Sequence, residues 1–253
     1  MQIEDSSLWT EAPPSLWLQT GTVHVWRIGL DQADDSLERF RRTLEPHELE
    51  RAGRFHFEKH RRHFIVARGF LRTVVGRYLE TQPETLRFEY GAYGKPALAS
   101  EHGLRFNLSH SNEVALLAVT LDAELGVDVE HIRADFATED IARRFFSRAE
   151  VEMFNALPKE EQVAAFFRCW TRKEAYIKAI GKGLSQALDE FDVTLAPGIA
   201  PVLLRAKEDD ASRWLLRDIS VGEGYAGALV VERPVAEVRF FRQDLQDFAG
   251  FTG

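Results

Sequence analysis

Asp128, Glu130 and Glu174 are the residues whose types and spacing most readily do chemistry. In Gly126-Val127-Asp128-Val129-Glu130, two carboxylates stand two positions apart with valines between them. On a strand, residues two apart share a face, so Asp128 and Glu130 project together while Val127 and Val129 pack behind. Adjacent carboxylates repel unless protons, solvent or a cation compensate, and hard oxygen ligands suit Mg2+ or Ca2+. A solvated strand end with ordinary alternation has the same pattern, so this pair is not decisive alone. Glu174 carries a sharper signal. A helical stripe through Val163, Phe166, Phe167, Trp170 and Ile177 meets a carboxylate at position 174. An ionised group on a buried stripe is costly unless paired or metal-bound. Lys178, one turn on, offers a simpler partner, in a helix pair worth roughly a few tenths of a kcal/mol when exposed. The inward aim of the stripe favours function for Glu174.

Other polar groups read differently. Ser147-Arg148-Ala149-Glu150 has the spacing of a capping box, a structural role for Glu150. Ser109 and His110 follow a strand. Adjacent side chains on an extended segment diverge, so they are not a nucleophile with its base, but they suit donation to a phosphate. From Arg51 to Arg77 the chain carries Arg51, Arg54, Lys59, Arg61, Arg62, Arg68, Arg72 and Arg77 against one acid, Glu58. Such a run is either a solvated helix face or a local anion site, and composition leaves both open.

These residues need elements to position them. Periodicity predicts strands over 22–30, 104–108, 114–120 and 126–130, and helices over 35–44, 60–79, 138–146, 147–157 and 160–180. A further helix starts at Pro46, and Gly181 stops the long helix. The remainder reads as strands over 191–195, 202–206, 213–219 and 225–232. The expected class is α/β (α+β), with two similar halves, residues 1–121 and 122–253, and no residue-level repeat.

With 253 residues, 45% hydrophobic, the chain can bury a sizeable core. A formal net charge of −8 gives no reason to expect nucleic-acid binding. The apolar run 114–119 is too short to span a bilayer, and the N-terminus does not read as a signal peptide. A single cysteine, Cys169, excludes an internal disulfide and a Cys-rich zinc site, and suits the cytoplasm.

Taken together, the motifs resemble the surfactin-type (Sfp-type) 4'-phosphopantetheinyl transferases. The residues 126–130 look like the family's G-[IV]-D-x-E, and Phe146-Ser147-Arg148-Ala149-Glu150 its F-S-x-x-E. The stretch from Trp170 through Lys173, Glu174 and Lys178 to Gly183-Leu184 is similar to W-x-x-K-E-[AS]-x-x-K-x-x-G-x-G-L. Tyr93-Gly94-Lys95-Pro96 and Asn107-Leu108-Ser109-His110-Ser111 match two upstream motifs, in the family's order. The resemblance implies a monomer of two halves related by a pseudo-twofold, with CoA in the cleft between them. It implies that an apo carrier protein's serine attacks the β-phosphate of CoA, releasing 3',5'-ADP. It further implies Mg2+ on Asp128, Glu130 and Glu174, with Glu174 as general base and Lys178 neutralising phosphate. The CoA phosphate and adenine contacts fall to Arg51, Lys95, Ser109 and His110, with Arg62 or His63 as a further one. Rival readings are another Mg2+-dependent phosphoryl enzyme, or an idle CoA-binding module.

Overall fold

The computed structural model describes residues 8–99 and 103–243. The chain runs through β1 (Thr10–Glu11), β2 (Thr22–Gly29), α1 (Asp34–Arg42), α2 (Pro46–Gly53) and α3 (Glu58–Leu79). Next come β3 (Phe88–Tyr90), β4 (Pro96–Leu98), β5 (Leu104–Ser111), β6 (Val114–Leu121) and β7 (Leu125–His131). Then follow α4 (Glu139–Phe145), α5 (Arg148–Ala156), α6 (Lys159–Ile180), β8 (Phe191–Val193) and β9 (Leu203–Ala206). The described chain ends with β10 (Trp214–Asp218), β11 (Tyr225–Glu232) and β12 (Glu237–Arg242).

One unit occurs twice: a strand, a 22-residue helix and an antiparallel hairpin. In the first, the strands lie in the order β2-β6-β5; in the second, β7-β11-β10. Both triplets are antiparallel throughout, which is the pseudo-twofold relation expected. Strand alternation builds the layers. Ala115, Leu117 and Val119 of β6 face the core under α3, while Val114, Leu116 and Ala118 face a second core. Val127 and Val129 of β7 and Leu229 and Val231 of β11 meet them there, so the two sheets pack back to back. Ala228 and Val230 face the opposite way, into the core under α6. The layers are thus helix, sheet, sheet, helix.

The predicted helices and strands form close to the expected bounds, except that β5 runs on through Ser109, His110 and Ser111. These lie on the strand rather than after it because they continue its pairing with β6. Gly181 ends α6 in the left-handed region at φ 66°. Unforeseen was β12, which pairs in parallel with β2 and joins the first sheet from the end of the described chain. The basic run resolves in a way neither alternative anticipated. Arg72 is fully buried and donates to Glu45, Glu48 and the carbonyls of Pro83 and Leu86. Arg68 donates to Glu48 as well. These arginines hold α2 against α3, so only part of the run is left for solvent or an anion.

Candidate active site

The acids are placed by a close approach of α6 to β7. A Cβ on Gly126 would lie 2.1 Å from the Ala175 carbonyl oxygen and 2.4 Å from the Ala179 nitrogen. Any side chain there would collide with main chain, so glycine lets the helix ride directly on the strand. Residues 126, 128 and 130 share that face, which turns Asp128 and Glu130 toward the helix bearing Glu174 and Lys178.

Asp128 is buried at 2% exposure. Its Oδ1 accepts from Lys178 Nζ at 2.6 Å and from Ser109 Oγ at 2.9 Å, while its Oδ2 is buried with no hydrogen-bond partner. Glu130 accepts from Ser111 Oγ at 2.8 Å. Burial pushes all three carboxyl pKa values up. Asp128 adds to the rise in Glu130 and Glu174, and Glu130 adds to that in Glu174. Lys178 acts against the rise in each. The helix pair Glu174–Lys178 considered from the sequence is not made; Lys178 reaches across to the strand instead. Among the described residues, no three His, Cys, Asp or Glu side chains converge closely enough to form a ready-made metal cage.

The upstream polar motif forms a joint between the two sheets. β5 and β7 are edge strands of different sheets. Asn107 Oδ1, Ser109 Oγ and Ser111 Oγ accept from the backbone N–H groups of Val127, Val129 and His131 at 2.9, 3.4 and 3.0 Å. Three alternate side chains of β5 thus take the place of strand carbonyls, and two of them also donate to the acids. Sequence reasoning assigned Ser109 to a phosphate but missed this ladder. The regular N-x-S-x-S alternation is its visible trace.

The other expected residues are distributed around this seam. His110 is exposed at the surface and lines a cavity of about 390 Å³ with Phe55, Lys59, His60, His63 and Phe64. Its pKa is lowered by desolvation, then by the positive charges of Lys178, His63 and Arg51, so those groups surround it. Arg51 is exposed and stacks over Phe64 at 5.2 Å, on the wall of that cavity. Of the two alternatives, His63 lines the cavity, its Nε2 held 2.6 Å from Asp31. Arg62 turns to Asp34 and the Gln32 carbonyl. Lys95 donates to Glu124 and to the carbonyls of Leu125 and Ala179, tying its loop to the start of β7 and the end of α6. Burial lowers its pKa.

Glu150 caps α5 as expected, its carboxylate accepting from Ser147 N at 2.8 Å. It also receives Lys173, the lysine that precedes Glu174. That pairing fixes the α6 turn from which Glu174 projects, and no local spacing revealed it.

Residues 124–230 match the family described as the 4'-phosphopantetheinyl transferase superfamily, and residues 31–122 match 4'-phosphopantetheinyl transferase, N-terminal. The 4'-phosphopantetheinyl transferase HetI of Nostoc sp. is 41% identical over 88% of this chain and 93% of its own. The 4'-phosphopantetheinyl transferase Sfp of Bacillus subtilis is 31% identical over 83% of this chain and 92% of its own. Among solved structures, a holo-(acyl-carrier-protein) synthase from Bacillus anthracis in complex with CoA (3',5'-ADP) aligns with 43% of this chain and 94% of that chain. That alignment has 19% identity and a TM-score of 0.36. Relatives that align along most of both chains, and family matches on both sides of the β5–β7 seam, make this chain a transferase of the 4'-phosphopantetheinyl transferase superfamily.

Proposed function

We propose that the chain moves the 4'-phosphopantetheine group of CoA onto a serine of an apo acyl- or peptidyl-carrier protein, with Asp128, Glu130 and Glu174 holding Mg2+. The observation that carries this reading is the buried, unpartnered Oδ2 of Asp128 beside two further carboxylates of raised pKa. A bare buried carboxylate oxygen among like charges suits a small hard cation, and the donor set is all oxygen. When bound, Mg2+ supplies charge neutralisation at the pyrophosphate oxygens.

The chain's own groups carry the remaining steps. Glu174 accepts the proton of the carrier serine as the serine oxygen bonds to the β-phosphorus of CoA. The bond from that phosphorus to the oxygen bridging the α-phosphate breaks, and 3',5'-ADP leaves. Lys178, already at the seam, balances the charge that grows on the leaving group. For the nucleotide end, the cavity beside His110 and Arg51 offers local positive charge in a chain of net charge −8. Ser109, Lys95 and Arg62 have partners within the protein, and we assign them to shaping the CoA site around those two.

Both walls of this cleft come from one chain, which supports a monomer. The free, buried Cys169 suits a cytoplasmic setting. Among the described residues no helix is long and apolar enough to cross a membrane.

The test is direct. Purified protein, CoA, Mg2+ and an apo carrier protein are incubated and the carrier's intact mass is followed. The carrier gains one phosphopantetheine group, EDTA stops the gain, and added Mg2+ restores it. No gain across several carriers overturns the reading, and a gain that persists in EDTA overturns the metal assignment.

A further inference from the structure

The repeated unit carries a cavity in each copy. The first lies between α3 and the β5–β6 hairpin, beside His110. The second, of about 450 Å³, lies at the corresponding place between α6 and the β10–β11 hairpin. Its walls include Ala164, Arg168 and Thr171 of α6, Ile132 after β7, and Val221 and Ala226 around the hairpin. None of these belongs to the site proposed for CoA and the metal.

The two guanidinium groups beside the second cavity are partnered unequally. Its other guanidinium neighbour, Arg172, is matched by Asp218 in a two-pronged pair, Nε to Oδ1 at 2.8 Å and Nη2 to Oδ2 at 2.5 Å. Arg168 has no such match: its Nε donates to the Leu195 carbonyl at 3.1 Å, and its Nη2 is buried with no partner. Among the described residues it forms no salt bridge; desolvation followed by Arg172 lowers its pKa, while the carboxylates of Asp218 and Glu161 act more weakly against them. Native proteins rarely leave a buried donor unmet, and a guanidinium is costly to leave so. Thr171 is already engaged, its hydroxyl donating to the Phe167 carbonyl. What the cavity offers is therefore one guanidinium with an unmet donor and no ion-pair contact, on a wall that also carries Asp218 and is otherwise rich in small and aliphatic groups.

We propose that the α6/β10–β11 cavity is a second ligand site of this protein, which takes a small monocarboxylate with an aliphatic body, its carboxylate on Arg168. A guanidinium with an unmet Nη2 donor and no ion-pair contact matches one carboxylate. A phosphate dianion would carry excess charge toward Asp218, and an uncharged alcohol would leave Arg168 unneutralised. Ala164, Ile132, Val221 and Ala226 receive the aliphatic part.

The probe is sodium hexanoate, titrated calorimetrically into the full-length protein, with hexan-1-ol and inorganic phosphate as comparisons. The expected result is saturable one-site binding of hexanoate, with affinity at least tenfold above that for either comparison. Arg168→Gln weakens it tenfold or more, and Arg168→Lys retains part of it. Because Arg168 also anchors the Leu195 carbonyl, Ala164→Leu provides an independent arm: it fills the cavity from the helix side and leaves the guanidinium in place. It too reduces hexanoate affinity tenfold or more. Absence of saturable hexanoate binding overturns the proposal, as does binding unaffected by Ala164→Leu. Phosphate binding as tightly as hexanoate overturns the carboxylate assignment.

Discussion

The Glu150 carboxylate and the Lys173 ammonium lie 2.7 Å apart, with neither side chain exposed. Glu150 also accepts from the N–H groups of Ser147 and Val193. Lys173 donates to the carbonyls of Leu188 and Phe191 and lies over the Phe191 ring. The capping box of α5 and the lysine before Glu174 are therefore one connected structure. Breaking a buried pair from one side leaves the other charge uncompensated, so Lys173→Met is expected to destabilise the fold by about 3–5 kcal/mol. Glu150→Gln in the same chain removes that charge and recovers part of the loss. Urea unfolding of the single and double variants measures both; equal stability of the two overturns the expected coupling.

Glu174→Gln keeps the side chain's shape while removing the proposed base and weakening the proposed cation site. Transfer is expected to fall by at least about 100-fold, the lower end of what a positioned general base contributes. The melting temperature should hold or rise, because a half-buried carboxylate of raised pKa is replaced by a neutral group. Single-turnover transfer at saturating CoA measures the loss, and a near wild-type rate removes Glu174 from the role of base.

Gly126→Ala places a methyl group against the Ala175 carbonyl and the Ala179 nitrogen, both main chain. The helix must lift away from β7, carrying Glu174 and Lys178 with it. Overpacking of this kind costs roughly 1–3 kcal/mol or more, and transfer should fall beyond what the lost stability explains. Comparing residual activity with the fraction folded, at a temperature well below the transition, separates the two effects.

His24 gives a pH signature remote from the chemistry. Burial, then Arg239, push its pKa down from 6.5 to about 4, with Glu237 acting against them. The folded chain therefore keeps His24 neutral where the unfolded chain would protonate it. Its contribution to stability is complete above pH 6.5 and is lost as pH falls toward 4. Unfolding in that window should take up a proton that His24→Gln does not, as measured by urea midpoints from pH 7 to pH 4.5. Identical pH slopes for the two proteins contradict this.

Periodic residues were legible and long-range partners were not. Glu174 interrupts a helical stripe and so stands out before any contact is known, whereas the alternation of Asp128 and Glu130 is equally that of a solvated strand end and gains its weight from the motif match. Arg68 and Arg72 look like part of a basic helix face because their partners, Glu45 and Glu48, sit at the N-cap and in the first turn of a different helix. Lys173 depends on Glu150, more than twenty positions away in the chain. The strand β12 finds its place through parallel pairing with β2, from the far end of the described chain, which no local pattern encodes. His63 rather than Arg62 lines the cavity beside His110 because of how α3 is rotated against its sheet, a tertiary choice that two adjacent basic residues leave open.

The hydroxyls of Ser109 and Ser111 each accept from a β7 amide and donate to an acid, and that of Ser109 also accepts from Lys178 Nζ. A main-chain carbonyl in their place would tie the strands but offer nothing to the carboxylates. Here the fastening and the charge share the same oxygen atoms. Whatever changes the charge on Asp128 or Glu130 also changes the pull on the hydroxyl hydrogens, and with it the tightness of the fastening between the two sheets. The mechanical stiffness of the cleft is in that sense set by the electrical state of its floor.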